Sequence, residues 1–304
     1  MLARAIIILL FIATLAGAWD IWWHGAIGRD TPWEPPHLLL YAATTAAIVT
    51  GLFGWYRHRQ KIWRRLALIL LLVPLAAPFD EIWHRFFGPE TPASVLIIWS
   101  PPHLLLTGAL FFSFLMLLSH FRKEPDLVSR QVLGAAAFGS MLNLLLFVYS
   151  PLDPTGPYHL FGFWGAGVAA FLIIAIMITA QDWLPGFAGA TLTTLFVLLI
   201  VATNFQTESL VIETGVQPHD HAPGWLITFS YLLMAFVLDW LERKPSWFRG
   251  ALAGGLWAGT LYGFAYMFFE PQFVYSTSES LIAILMGFGG GWAAGFFLPK
   301  VVKL

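Results

Sequence analysis

The chain has 304 residues, of which 58% are hydrophobic and 11% charged, against about 45–50% and about 25% in soluble domains. That composition marks a membrane protein. The net charge of -1 says nothing about nucleic acid, no sustained basic patch points to it as a partner, and the absence of cysteine excludes disulfides, thiolate metal sites and cysteine nucleophiles.

Ten apolar segments follow in order, at about 2–23, 37–56, 62–83, 102–121, 131–150, 159–180, 187–204, 224–241, 249–269 and 281–298. Crossing a bilayer takes about 20 residues, and a backbone in lipid must satisfy its own hydrogen bonds. The expected fold is therefore all-α: a polytopic membrane helical bundle of about ten transmembrane helices arranged as repeated hairpins. Residues 1–304 form a single membrane domain, with two hairpin repeats over 15–121 and further hairpins over 131–304. Arg4, the apolar run after it and Ala16-Gly17-Ala18 have the make-up of a signal peptide. Cleavage there would leave Asp20 on a loose end, so the segment is expected to remain as the first span.

The connections alternate in charge. Arg57 to Arg65, Arg122 to Arg130, Glu242 to Arg249, and Lys300 with Lys303 are basic; of 16 Lys and Arg, only Arg29 and Arg85 fall on the opposite side. The positive-inside rule then places both termini in the cytoplasm. The outer side gathers His24, His37, His84, His103, His159, His219 and His221, whereas His58 and His120 lie inside. The expected setting is a bacterial or archaeal inner membrane, with the histidine-rich face extracytoplasmic.

Two outer hairpins share one pattern. Asp20 and His24 are four apart on a helix and so project from one face; Arg29-Asp30-Thr31 follows, and then Pro35-Pro36-His37 opens the next helix. Asp80 and His84 repeat the spacing, and Pro101-Pro102-His103 opens its return helix. Proline suits a first helical turn, where a missing N–H costs little. One carboxylate and two imidazoles from two helices suit a divalent first-row metal: copper, iron or zinc. Site one is thus Asp20, His24 and His37, and site two is Asp80, His84 and His103. Arg29, Asp30 and Glu34 are candidates for orienting the ligands of site one. His219 and His221 offer a further imidazole pair, though outer loops also carry histidines without ligation. Trp19, Trp22, Trp23, Trp33, Trp83 and Trp99 fit an interfacial aromatic belt. The glycines of 250–255 and 287–291 fit close helix packing in a membrane.

At these residues the chain resembles the C subunit of particulate methane monooxygenase and ammonia monooxygenase. That family carries Asp-x-x-x-His, an Arg-Asp-Thr, a Pro, and a second His thirteen residues after the first; Asp20, His24, Arg29-Asp30-Thr31, Pro35 and His37 stand at matching spacing. The resemblance covers roughly residues 15–120. It implies copper at Asp20, His24 and His37, and a second copper site over residues 80–103. There Asp80 stands where the family has Asn, and the interval from His84 to His103 is about five residues longer. It further implies oxidation of a small apolar substrate with O2, quinol as electron donor, and companion monooxygenase-type subunits or a homo-oligomer. The other reading is a non-enzymatic copper or zinc protein for binding, delivery or transport.

Overall fold

The computed structural model describes residues 1–27, 33–87, 100–122, 125–148, 164–184, 188–200, 224–263 and 277–301. Every regular element among them is helical: α1 (Leu2–Ala26), α2 (Pro35–His58), α3 (Lys61–Leu70), α4 (Leu72–Phe87), α5 (Pro101–Phe121), α6 (Leu127–Val148), α7 (Trp164–Trp183), α8 (Gly189–Ile200), α9 (Gly224–Trp240), α10 (Ser246–Ala258) and α11 (Thr277–Val301). A π-helical turn, Gly259–Gly263, continues α10. Among the described residues, six stretches are long and apolar enough to cross a membrane: Leu2–Asp20, Pro35–His58, Lys61–Phe87, Pro101–Phe121, Gly165–Trp183 and Thr277–Leu298.

The chain divides into two compact units, Met1–Leu144 with Val197–Asp220, and Leu145–Phe196 with His221–Leu304. In the first, α1 packs on α2 through Ala13, Ala16, Leu40 and Ala43, with Ile12 and Leu106 against them. Small side chains at this seam let the helices approach closely, which is where van der Waals packing gains most in lipid. Two buried hydroxyls return to their own helices: Thr14 Oγ1 donates to Leu10 O at 2.9 Å and Thr44 Oγ1 to Leu40 O at 2.7 Å. Neither leaves a polar group unmet in the apolar seam.

Helix α2 ends at Arg59, whose φ of 54° is left-handed and whose N–H donates to Trp55 O at 2.8 Å. That is a C-terminal αL closure, and it turns the chain into α3 within two residues. Gly54 lets α2 lie close to α3, since a Cβ there would lie 3.1 Å from Trp63 Cγ. Helices α3 and α4 are separated by Leu71 alone and together make the 27-residue apolar stretch Lys61–Phe87. Pro78 stands inside α4 and removes one hydrogen bond just ahead of Asp80.

The second unit is held by glycine and by one polar network. A Cβ on Gly290 would meet Gly167 O at 2.0 Å, and one on Gly291 would meet Gly250 O at 2.0 Å. Only glycine permits the backbones of α7, α10 and α11 to touch in this way, as the glycine runs predicted. Near the end of α9, Asp239, 2% exposed, accepts from Gln181 Nε2 of α7 at 2.7 Å and, at the start of α8, from Ala190 N at 3.1 Å, Thr191 N at 2.8 Å and Thr191 Oγ1 at 2.6 Å. Its carboxylate therefore satisfies the open N–H groups at the start of α8 from another helix. Arg249 Nη1 donates to Gln181 Oε1 at 2.8 Å, and Arg249 Nη2 lies 3.6 Å from Asp182 Oδ1.

Candidate metal centres

Site two is assembled from both arms of a hairpin. Asp80 and His84 share one face of α4. At the start of α5, Ser100 is the N-cap, with extended backbone, and its Oγ accepts the His103 N–H at 3.3 Å. Pro101 and Pro102 fill the first turn, whose φ they match and whose donors they do not need. This fixes His103 toward α4. Asp80 Oδ1 lies 3.2 Å from His84 Nε2 and 3.5 Å from His103 Nε2. The imidazole centroids are 6.0 Å apart. His84 is buried, while Asp80 and His103 keep about a fifth of their side-chain surface.

These distances test the fit to an ion. Two ligands each 2.0–2.1 Å from a tetrahedral metal stand about 3.3–3.4 Å apart. The two separations from Asp80 bracket that value, and one ligand atom from each of the three residues lies within 4.8 Å of the others. The donor set therefore fits a first-row divalent ion, with one anionic oxygen, two imidazole nitrogens and room for a further ligand.

Site one uses the same construction with one change. Asp20 comes from α1, and Glu34, Pro35, Pro36 and His37 form the head of α2. His37 Nε2 lies 3.0 Å from Asp20 Oδ1, and Glu34 Oε2 lies 3.9 Å from His37 Nδ1. Asp20, Glu34 and His37 form a second group whose ligand atoms all lie within 4.8 Å. Glu34 thus stands as close as a ligand, although the spacing alone gave it a supporting place. The signal for it was weak: an acid directly before Pro-Pro reads as an ordinary cap. His24 lies on α1 four residues after Asp20, but its side chain is outside the described residues, as are Arg29, Asp30, His219 and His221.

Aromatic rings wall both groups. Tyr41 stacks on His37 with centroids 5.9 Å apart and planes at 18°; Trp19 meets Trp23 edge-on at 6.0 Å, and Trp83 stacks on Phe87 at 4.2 Å. Trp33 is 72% exposed, as an interfacial anchor would be. Trp19, Trp23 and Trp83 are instead packed, with indole N–H groups that meet no acceptor among the described residues. A cavity of about 300 Å³ lies between the hairpins, lined by Trp33, His37, Tyr41, Ala77, Pro78, Asp80 and Glu81. It touches a ligand residue of each group.

Among the described residues, the fold is all-helical with membrane-length helices, and it holds two clusters of side chains that could hold a metal ion. Comparison of the chain with family models, curated proteins and solved structures finds no match.

Proposed function

We propose that this protein is a copper-binding membrane protein of the monooxygenase type, acting on a small apolar substrate with O2. The observation that carries the proposal is the shared cavity: His37 of one donor group and Asp80 of the other both face it. Its volume is at the lower end of the range for small-molecule sites, about 300–1,000 Å³. Its wall is mainly Trp33, Tyr41, Ala77 and Pro78, so it favours a small apolar guest arriving from the bilayer. Bound copper would supply one-electron redox chemistry and activation of O2. The chain's own part is to hold the ion with Asp20, His24 and His37 at one site and Asp80, His84 and His103 at the other. Tyr41 stacks on the His37 ring, and Trp33 and Tyr41 give the cavity an aromatic lining.

The proposal includes ten spans, cytoplasmic termini and extracytoplasmic sites, supported by the segregation of basic and histidine residues. It also includes quinol as electron donor and, as partners, either monooxygenase-type subunits or further copies of the chain. The alternative, non-enzymatic copper or zinc binding and delivery, is favoured by the second acid at site one, since carboxylates serve zinc as well as copper. Oxygen consumption separates the two. Copper-loaded membranes given a reduced quinol should consume O2 faster when a short hydrocarbon or ammonia is added, and Asp80→Ala should remove the increment. Stoichiometric metal binding with no substrate-dependent uptake would leave the carrier reading.

A further inference from the structure

We infer that Glu34, the second acid of the first donor group, makes site one prefer the oxidised, divalent ion, so that the two centres differ in redox preference; this rests on the metal reading above. The repeat supplies an internal control. Glu34-Pro35-Pro36-His37 and Ser100-Pro101-Pro102-His103 each place an N-cap residue three before the imidazole. The two caps share one backbone shape, φ −62° and ψ 150° for Glu34, φ −60° and ψ 145° for Ser100. Their side chains are used differently. Ser100 Oγ accepts the His103 N–H, as an N-cap does. Glu34 makes no side-chain cap bond. Its carboxylate lies instead beside the His37 ring, with the side chain only 4% exposed.

Two acids therefore stand beside His37: Asp20 Oδ1 lies 3.0 Å from Nε2 and Glu34 Oε2 3.9 Å from Nδ1, and ligand atoms of the three residues all lie within 4.8 Å of one another. In the second hairpin the corresponding group holds a single acid, Asp80. A buried carboxylate is costly unless a cation or hydrogen bonds compensate it. A second carboxylate held this close adds negative charge beside the ion. The extra negative charge stabilises a divalent ion more than a monovalent one, because Coulomb attraction scales with the ion's charge. Site one should then hold Cu(II) over Cu(I) more strongly than site two does.

The test uses purified full-length protein, with Cu(I) and Cu(II) each buffered by a competing chelator. Site one is read in the Asp80→Ala/His103→Ala background, and site two in the Asp20→Ala/His37→Ala background. Glu34→Gln keeps the shape and removes the charge. It should weaken Cu(II) binding at site one about 10–100-fold, the effect typical of a residue that supports a ligand, and weaken Cu(I) binding less. Each tenfold change in that ratio raises the one-electron potential by about 59 mV. Ser100→Glu should shift site two the other way, toward Cu(II), and decides the matter alone if Glu34→Gln does not fold. An unchanged ratio, or an equal loss of both ions, overturns the inference while leaving the metal sites intact. Failure of either ion to bind at site one before Glu34 is changed overturns the metal reading as well.

Discussion

Replacing Asp80 by alanine separates a metal centre from a cluster of acid–imidazole contacts that serves packing alone. Asp80 Oδ1 is the atom common to both imidazole contacts, at 3.2 and 3.5 Å. If the cluster served packing alone, its loss would appear equally with and without metal. It would amount to about 1.5–3 kcal/mol, the worth of a hydrogen bond to a charged group. A metal centre behaves otherwise, because an ion that binds only the folded state stabilises it by mass action. At a free concentration a hundredfold above Kd the gain is about 2.7 kcal/mol per site. For a unit of this size each kcal/mol moves the melting temperature by about 2–4 °C, so one site is worth roughly 5–10 °C. Zn(II) is the ion of choice, being redox-silent. Thermal unfolding in detergent, followed by tryptophan fluorescence, should rise on adding Zn(II) to the wild type, and Asp80→Ala should lose the share of site two. Equal melting temperatures in chelator and in Zn(II) for the wild type would refute the reasoning.

Three further outcomes follow from the packing. Asp239→Ala strands the N–H groups of Ala190 and Thr191 and breaks a buried network, so it should destabilise the second unit by about 3–5 kcal/mol, read as a lower midpoint in detergent unfolding. Gly290→Ala drives a methyl to 2.0 Å from Gly167 O; overpacking of this kind costs about 1–3 kcal/mol, and faster proteolysis of the variant should report it. Asp126, ahead of α6, is held below the ordinary aspartate value of 3.8, first by the Ser129 hydroxyl and then by the Ser129 N–H and Arg4. Because its folded value is the lower one, its stabilising contribution is complete above 3.8 and is lost as pH falls through the folded value. The difference in melting temperature between wild type and Asp126→Ala should therefore shrink on acidification below that point.

Much of the first unit was legible in the sequence because its information is local. Asp-x-x-x-His places two groups on one helical face, and Pro-Pro fixes the head of the next helix. The glycine runs were legible for the same reason, since few other roles suit them in an apolar helix. Glu34 was only partly legible. Its closeness to His37 depends on the carboxylate turning from the cap toward the ring, and composition cannot settle that choice. The Asp239 network was hidden altogether. Gln181 and Arg249 each look like residues at a helix end near the inner face. Only the tertiary packing of helices 58 residues apart brings Gln181 to Asp239.

The central claim is that each outer hairpin clasps one metal ion. Metal stoichiometry tests it most directly, measured on purified wild type and on the Asp20→Ala/His37→Ala and Asp80→Ala/His103→Ala variants. The account predicts two equivalents in the wild type, one for each donor group, and one in either variant. A wild type without bound metal, or variants that keep the full complement, would contradict it.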